Sequence, residues 1–368
     1  MKRLMMILAV AGLAVGAAAQ ADVWTVDQGG GGDFTTISAA LGAASDGDTI
    51  NVNAGTYDEK LVIQKAVNLI GQDSDTTIIT YTGSSTEQQI FLGSNTGFDF
   101  ADQVAIENFT IRNGGSLTGD NDLIKFRAHG VGGQVIIRNN AFDGDGADGS
   151  LTAAKAIEES YESNNFLITQ NQFDGCQYGI WANGLQDGAI SDNRFTNCTS
   201  GAIGMGGKAS GDSAPHDIAV TGNLMHNGKY GMVLAENLHD ITFSCNTITQ
   251  NSHTGILYWE YGPDDWTNVV FQNSNIVGNA VGFQGFSDPD GPAAVGAISA
   301  EDCWWGDAAG PSGLGAGTGD SVLLQGVDFD PWLAAPAPCA PDIPPVPEPG
   351  GLGLLGVAML GLRRRRRS

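Results

Sequence analysis

The chain runs to 368 residues, 53 of them glycine, with 41 acidic side chains against 17 basic ones and a formal net charge of −24. A surface this acidic repels nucleic acid and other polyanions unless a cation stands between them. Nucleic acid is therefore excluded as a partner. The charge fits either plain solubility in a salty exterior or a calcium-dependent surface.

The first element is a processing signal. Met1-Lys2-Arg3 is basic, residues 4–15 are apolar, and Ala19-Gln20-Ala21 is a small-x-small cleavage site. This is the layout of a secretory signal peptide over residues 1–21, its apolar run too short for the roughly 20 residues of a membrane span.

Residues 23–71 follow with quickly alternating signals. Thr35-Thr36-Ile37-Ser38-Ala39-Ala40-Leu41 carries apolar residues at helical spacing, meeting at Ile37, Ala40 and Leu41. Asp46-Gly47-Asp48 turns into a strand at Thr49-Ile50-Asn51-Val52, and Gly55-Thr56-Tyr57 turns into Leu61-Val62-Ile63. Residues 67–71 make another strand. The pattern predicts a short helix covering the open end of a stack of coils, followed by the first coils themselves. Such a lid is needed because an uncapped stack exposes strand edges and an apolar core. Gly55-Thr56-Tyr57-Asp58-Glu59 resembles the Gly-x-Tyr-x-Glu element in the first coil of pectin methylesterases. The resemblance covers about 50 residues and lacks the family's downstream catalytic blocks, so it implies fold and no catalytic residue.

From residue 104 to 298 one phrase recurs: alternating apolar residues, Asn, another apolar residue, then Gly. It appears at Ile136-Ile137-Arg138-Asn139-Asn140-Ala141-Phe142, Ile168-Thr169-Gln170-Asn171-Gln172-Phe173, Ile190-Ser191-Asp192-Asn193-Arg194-Phe195, Val220-Thr221-Gly222-Asn223 and Phe243-Ser244-Cys245-Asn246. Weaker copies sit around Asn108 and Asn275. From Asn140 the intervals are 31, 22, 30, 23 and 29 residues. Short alternating strands repeated at this period predict a one-dimensional stack of β coils. Inward Asn side chains would bond the backbone and one another from coil to coil, and Phe173 and Phe195 would be successive rungs of the interior.

The array closes with Asp302-Cys303-Trp304-Trp305-Gly306-Asp307-Ala308-Ala309-Gly310-Pro311. That run resembles the Asn-Trp-Trp-Gly-Asp-x-x-Gly-Pro close of secreted right-handed β-helix repeat domains, with Cys303 in place of the asparagine. The resemblance spans residues 23–332 and implies an all-β fold of the pectate-lyase-like superfamily: a right-handed parallel β-helix over residues 22–333 with a short N-terminal capping helix. Trp304 and Trp305 then belong to the far cap.

Cys176 and Cys198 hold the same place in consecutive repeats, so their sulfurs sit within disulfide reach or stay as stacked thiols. Cys303 and Cys339 are expected to tie down the C-terminal flank, leaving Cys245 unpaired. Residues 334–346 form a proline-rich linker. Beyond it come Pro347-Glu348-Pro349, an apolar stretch over residues 350–362, and Arg363 to Arg367. Motif, short span and basic tail resemble the PEP-CTERM sorting signal of Gram-negative bacteria, over residues 347–368. The resemblance implies recognition by an exosortase, transient contact of the tail with the inner membrane, and delivery to the cell surface or extracellular polymer matrix. With both ends removed, residues 22–345 keep 10 basic against 40 acidic side chains.

Candidate chemistry lies on the longer loops, where a rigid scaffold places binding groups. Tyr258, Trp259, Tyr261 and Trp266, interleaved with acids, resemble a platform on which sugar rings stack, and Trp181 and Tyr230 would extend it. Asp143, Asp145 and Asp148 in a glycine-rich corner could converge on Ca²⁺. Glu158, Glu159 and Glu162, with Asp174 one coil on, are the acid/base candidates, and Lys125, Arg127, His129 and Arg138 are the basic concentration. His216, His226, His239 and His253 show no metal-ligand spacing. Two readings lead: a surface or matrix protein engaging extracellular polysaccharide, and a polysaccharide lyase or glycosidase on the same scaffold. A third is a purely structural surface protein. A groove joining Lys125 and Arg127 to carboxylates favours the enzyme; a flat aromatic face favours binding.

Overall fold

The computed structural model describes residues 21–345 except 84–87, 95–97, 116–121, 131–132, 147–148, 150–153, 160–161, 207–213, 236, 260–265 and 286–297. Each coil contributes strands to three long sheets, and every pairing between coils is parallel. The first sheet begins at Val23–Val26 and reaches Val327–Asp328; the second runs from Gly55–Asp58 to Asn275–Val277; the third starts at Leu61–Ile63 and ends with Gly319–Val322 and Pro311–Gly313. This is the expected right-handed parallel β-helix. The signal peptide and the sorting tail lie outside the described residues.

One residue per coil turns the chain from the first sheet into the second. Asn108, Asn139, Gln170, Asp192, Gly222, Cys245 and Asn273 all have φ between 49° and 68°. This left-handed conformation costs about 1–2 kcal/mol for most L-residues and least for Gly, Asn and Asp, so these types recur at the corner. The next residue points inward and forms the ladder. Asn140, Asn171, Asn193 and Asn223 each donate Nδ2 to the Oδ1 of the asparagine one coil on, at 3.0–3.2 Å. Each also donates to a backbone carbonyl of the first sheet, at 2.9 Å. The two weak copies fall differently. Asn108 is itself the corner residue, so the ladder meets Phe109, whose N–H donates to Asn140. Ser274 takes the place expected for Asn275 and accepts from the N–H of Asn246.

Inside, Phe142, Phe173 and Phe195 stack with centroids 4.7 and 4.5 Å apart, in register between coils. Cys176 and Cys198 follow them as buried free thiols, not a disulfide. Burial pushes both thiols above their usual range.

Both ends are closed. The helix spans Ile37–Ala43, two residues beyond its expected place, and buries Ile37, Ala40 and Leu41. Glu59 reaches its N-terminus and accepts from the N–H groups of Ile37 and Ser38 at 2.8 Å. At the other end Lys65 donates to the carbonyls of Leu41 and Gly42 at 2.9 Å. At the far end Trp305 is fully buried, and Trp304 extends the edge of the second sheet by backbone bonds to Ser274 and Ile276. The cysteine expectation is corrected here: Cys339 bonds Cys245, while Cys303 is buried and free. Cys245 occupies the outward-turning corner and is reachable from outside; Cys303 is packed in the core. Residues 334–345 are correspondingly not a loose linker. Ala337 N–H donates to Asn275 at 2.8 Å, and Gln250 donates to the carbonyl of Pro344 at 2.8 Å, so this segment lies along the second sheet.

Candidate functional site

The third sheet carries the chemistry on its outer face. Its inward column is Ile124, Ile157, Ile180, Ile203, Met232, Ile256 and Phe283, all in the main core. The neighbouring column points the other way because strand side chains alternate. In register it reads Val62, Phe91, Lys125, Glu158, Trp181, Gly204, Val233, Leu257 and Gln284. A second outer column contains Tyr178, Gly201, Tyr230 and Thr254.

Two aromatic rings lie on this face because glycines in the next coil make room. A Cβ on Gly204 would come within 2.2 Å of the Trp181 indole, and one on Gly201 within 3.0 Å of the Tyr178 ring. Tyr178 and Trp181 themselves stand 4.7 Å apart, tilted by 58°. With Trp259 they pack, half-buried, against Tyr230, Val233 and Leu257, forming an apolar patch separate from the core. Lys229 stands 5.0 Å over the ring of Tyr230.

The expected platform is therefore partly corrected. Trp181, Tyr230 and Trp259 come together, with Tyr178 added. Tyr258 is only 1 % exposed and Trp266 7 %; they meet edge-on at 5.1 Å, and Trp266 donates Nε1–H to the carbonyl of Ala235 at 2.8 Å. Both belong to the core wall and present no ring to a ligand. Tyr230 is also largely covered. Tyr261 lies outside the described residues. Parity along the strand carried the signal: Tyr258 follows Ile256 by two and shares its inward face, whereas Trp259 falls on the other.

Just before the aromatics in the same columns lies a buried polar cluster. Lys155 Nζ pairs with Glu158 at 2.9 Å, and Lys125 Nζ stands 3.7 Å from Asp122. Burial, then the adjoining Glu158, push the Asp122 carboxyl up to about 9. Glu158 moves the other way: against its own burial, the neighbouring Asp122 and Lys155 lower it. The pair is thus polarised, Asp122 held toward its protonated form and Glu158 toward its ionised one. Asp122 escaped notice in the sequence because a lone acid before a strand looks like a solvated turn.

The other candidates disperse. Glu159 turns inward and is fully buried, accepting from the N–H groups of Gly184, Asn183 and Ser163 at 2.7, 3.0 and 3.3 Å. Asp174 sits on the second sheet, bonded to Asn197. Arg138 pairs with Glu107 at 2.9 Å and His129 with Asp99 at 2.8 Å, both on the first sheet, whereas Lys125 stands at the acids of the third. The calcium corner lies only partly within the described residues. Asp143 is engaged by Arg112 at 2.7 Å, and Asp148 lies outside the described residues. Asp145 packs against Gly175 in the next coil.

The family model described as periplasmic copper-binding protein (NosD) matches residues 152–289. No curated protein matches the chain. Among solved structures, a pectin methylesterase from Aspergillus niger is similar at 15% identity over 83% of this chain and 89% of that one, with a TM-score of 0.40. The A-module of a mannuronan C-5 epimerase from Azotobacter vinelandii is similar at 17% identity, covering 72% and 71%, with a TM-score of 0.40. A family 28 exopolygalacturonase from Yersinia enterocolitica is similar at 13% identity, covering 85% and 79%, with a TM-score of 0.39.

Proposed function

We propose that this is an exported β-helix protein that engages extracellular polysaccharide along the outer face of its third sheet. The observation that carries the reading is the pair Tyr178 and Trp181, seated over Gly201 and Gly204 beside Trp259. Sugar C–H faces stack on such rings without needing charge complementarity, which suits a chain this acidic. Export rests on the residue 1–21 signal, and surface delivery on the residue 347–368 tail. Mass spectrometry of the native mature protein should lack Arg363 to Arg367, and their presence would sink the sorting-signal reading.

Binding is tested by affinity electrophoresis of the protein in gels of neutral and acidic polysaccharides. Trp181→Ala and Tyr178→Ala should each lose retardation while keeping the parent's melting temperature. Trp266→Ala should instead lower stability by about 3–5 kcal/mol, the cost of a large buried ring. Undiminished retardation of Trp181→Ala on every polymer retained by the parent would refute the site.

The Asp122–Glu158 pair favours a second reading, proton transfer on a bound sugar. Release of unsaturated products from an acidic polysaccharide, lost in Glu158→Gln, would establish it.

A further inference from the structure

We infer that the first sheet carries a divalent transition-metal site built from Asp187, His216 and Asp217. One ligand atom from each of these side chains lies within 4.8 Å of the others. His216 Nδ1 already meets Asp217 Oδ2 at 2.8 Å.

The site is a product of register. Asn164, Gln186, His216, His239 and Thr267 form one column of the first sheet, and His129 pairs with Asn164 at its start. Three of the chain's five histidines therefore fall in a single column. The residue after each member is a left-handed corner: Asn165, Asp187, Asp217, Asp240 and Asn268 have φ of 50–54°. That repeated conformation aims three successive carboxylates outward from coils roughly 4.8 Å apart. Asn268 donates to Asp240 at 2.7 Å and blunts one end of the row. Among the described residues no lysine or arginine pairs with Asp187, Asp217 or Asp240. Stacked like charges repel, and a cation between them relieves that repulsion.

The imidazole decides which cation. Ca²⁺ and Mg²⁺ take oxygen ligands, whereas imidazole nitrogen with carboxylate oxygen suits Zn²⁺, Cu²⁺ and Ni²⁺. Ligand bonds of about 2.0–2.2 Å require the three ligand atoms to be re-aimed at one ion, His216 Nδ1 and Asp217 Oδ2 already standing 2.8 Å apart. Partly and fully exposed side chains achieve that by small rotamer changes, since His216 is half-buried and both aspartates are exposed.

The test is titration of the full chain with Zn²⁺, and separately with Cu²⁺, with Ca²⁺ as competitor. The parent should take up a Zn²⁺ equivalent that millimolar Ca²⁺ does not displace. His216→Ala should weaken that uptake at least tenfold, and Asp187→Asn should weaken it measurably. The Cu²⁺ electron paramagnetic resonance spectrum should show nitrogen coupling that His216→Ala reduces. Unchanged affinity and stoichiometry in both His216→Ala and Asp187→Asn would overturn the inference, as would displacement by Ca²⁺. Because Asp187→Asn alters only an exposed side chain, it keeps the question open to measurement if His216→Ala unfolds.

Discussion

Glu159 is a buried carboxylate held, among the described residues, by the backbone N–H groups of Ser163, Asn183 and Gly184. Those dipoles do not compensate fully for lost water, and burial pushes its pKa from 4.5 up to about 7. A raised carboxyl favours the folded state while protonated, so its contribution is complete below about pH 4.5 and lost as pH rises to about 7. The difference corresponds to about 3 kcal/mol. Glu159→Gln keeps the shape and cannot ionise. We predict that its melting temperature, relative to the parent's, rises steadily from pH 4.5 to pH 7.5; parallel curves would mean that Glu159 does not titrate in this range. Nothing in Ala156-Ile157-Glu158-Glu159 distinguishes the two acids by type. Alternation does: Glu158 takes the outer face with Trp181, and Glu159 the corner behind Ala182.

The capping helix is an element that cannot stand alone, since seven residues fall well below the length at which a helix is stable in water. Two charged residues of the first coils clamp it, Glu59 on its first N–H groups and Lys65 on its last carbonyls. The Gly-x-Tyr-x-Glu element thus has a structural office here: Tyr57 is buried with its hydroxyl donating to Asn53, and Glu59 holds the lid. Replacing Glu59 by Ala should cost about 1.5–3 kcal/mol, the usual range for hydrogen bonds to a charged group. Hydrogen exchange should quicken over residues 37–43 and not over the central coils; protection unchanged at the helix would reject the clamp. Strands and helix were legible because alternation and helical spacing are local. The metal column was not, although His216-Asp217 and His239-Asp240 repeat at 23 residues, one coil apart. A pair of dipeptides has no meaning until the period assigns both to the same edge of one sheet.

At the scale of the molecule, a stack of coils is stabilised mainly between neighbours, so its ends open first unless something ties them to the middle. The Cys245–Cys339 bond does this, closing 94 residues that contain the last coils and the far cap. Sequence alone pointed to Cys303 as the partner of Cys339 in that tie. Core packing claims Cys303, and the corner conformation of Cys245 turns its sulfur outward. In the chain-entropy picture a loop of this length is worth about 4–5 kcal/mol, most of it confined here to the coils it encloses. We therefore predict that Cys339→Ser, like mild reduction, loosens residues 334–345 and then the strands from Thr267–Gln272 to Val327–Asp328, while the phenylalanine stack at Phe142, Phe173 and Phe195 keeps its protection. Hydrogen exchange read by mass spectrometry resolves the two regions in one experiment. Equal loosening along the whole stack would show that the coils unfold as a single unit. No loosening at all would show that the proline-rich segment is held by its hydrogen bonds to Asn275 and Gln250 without help from the disulfide.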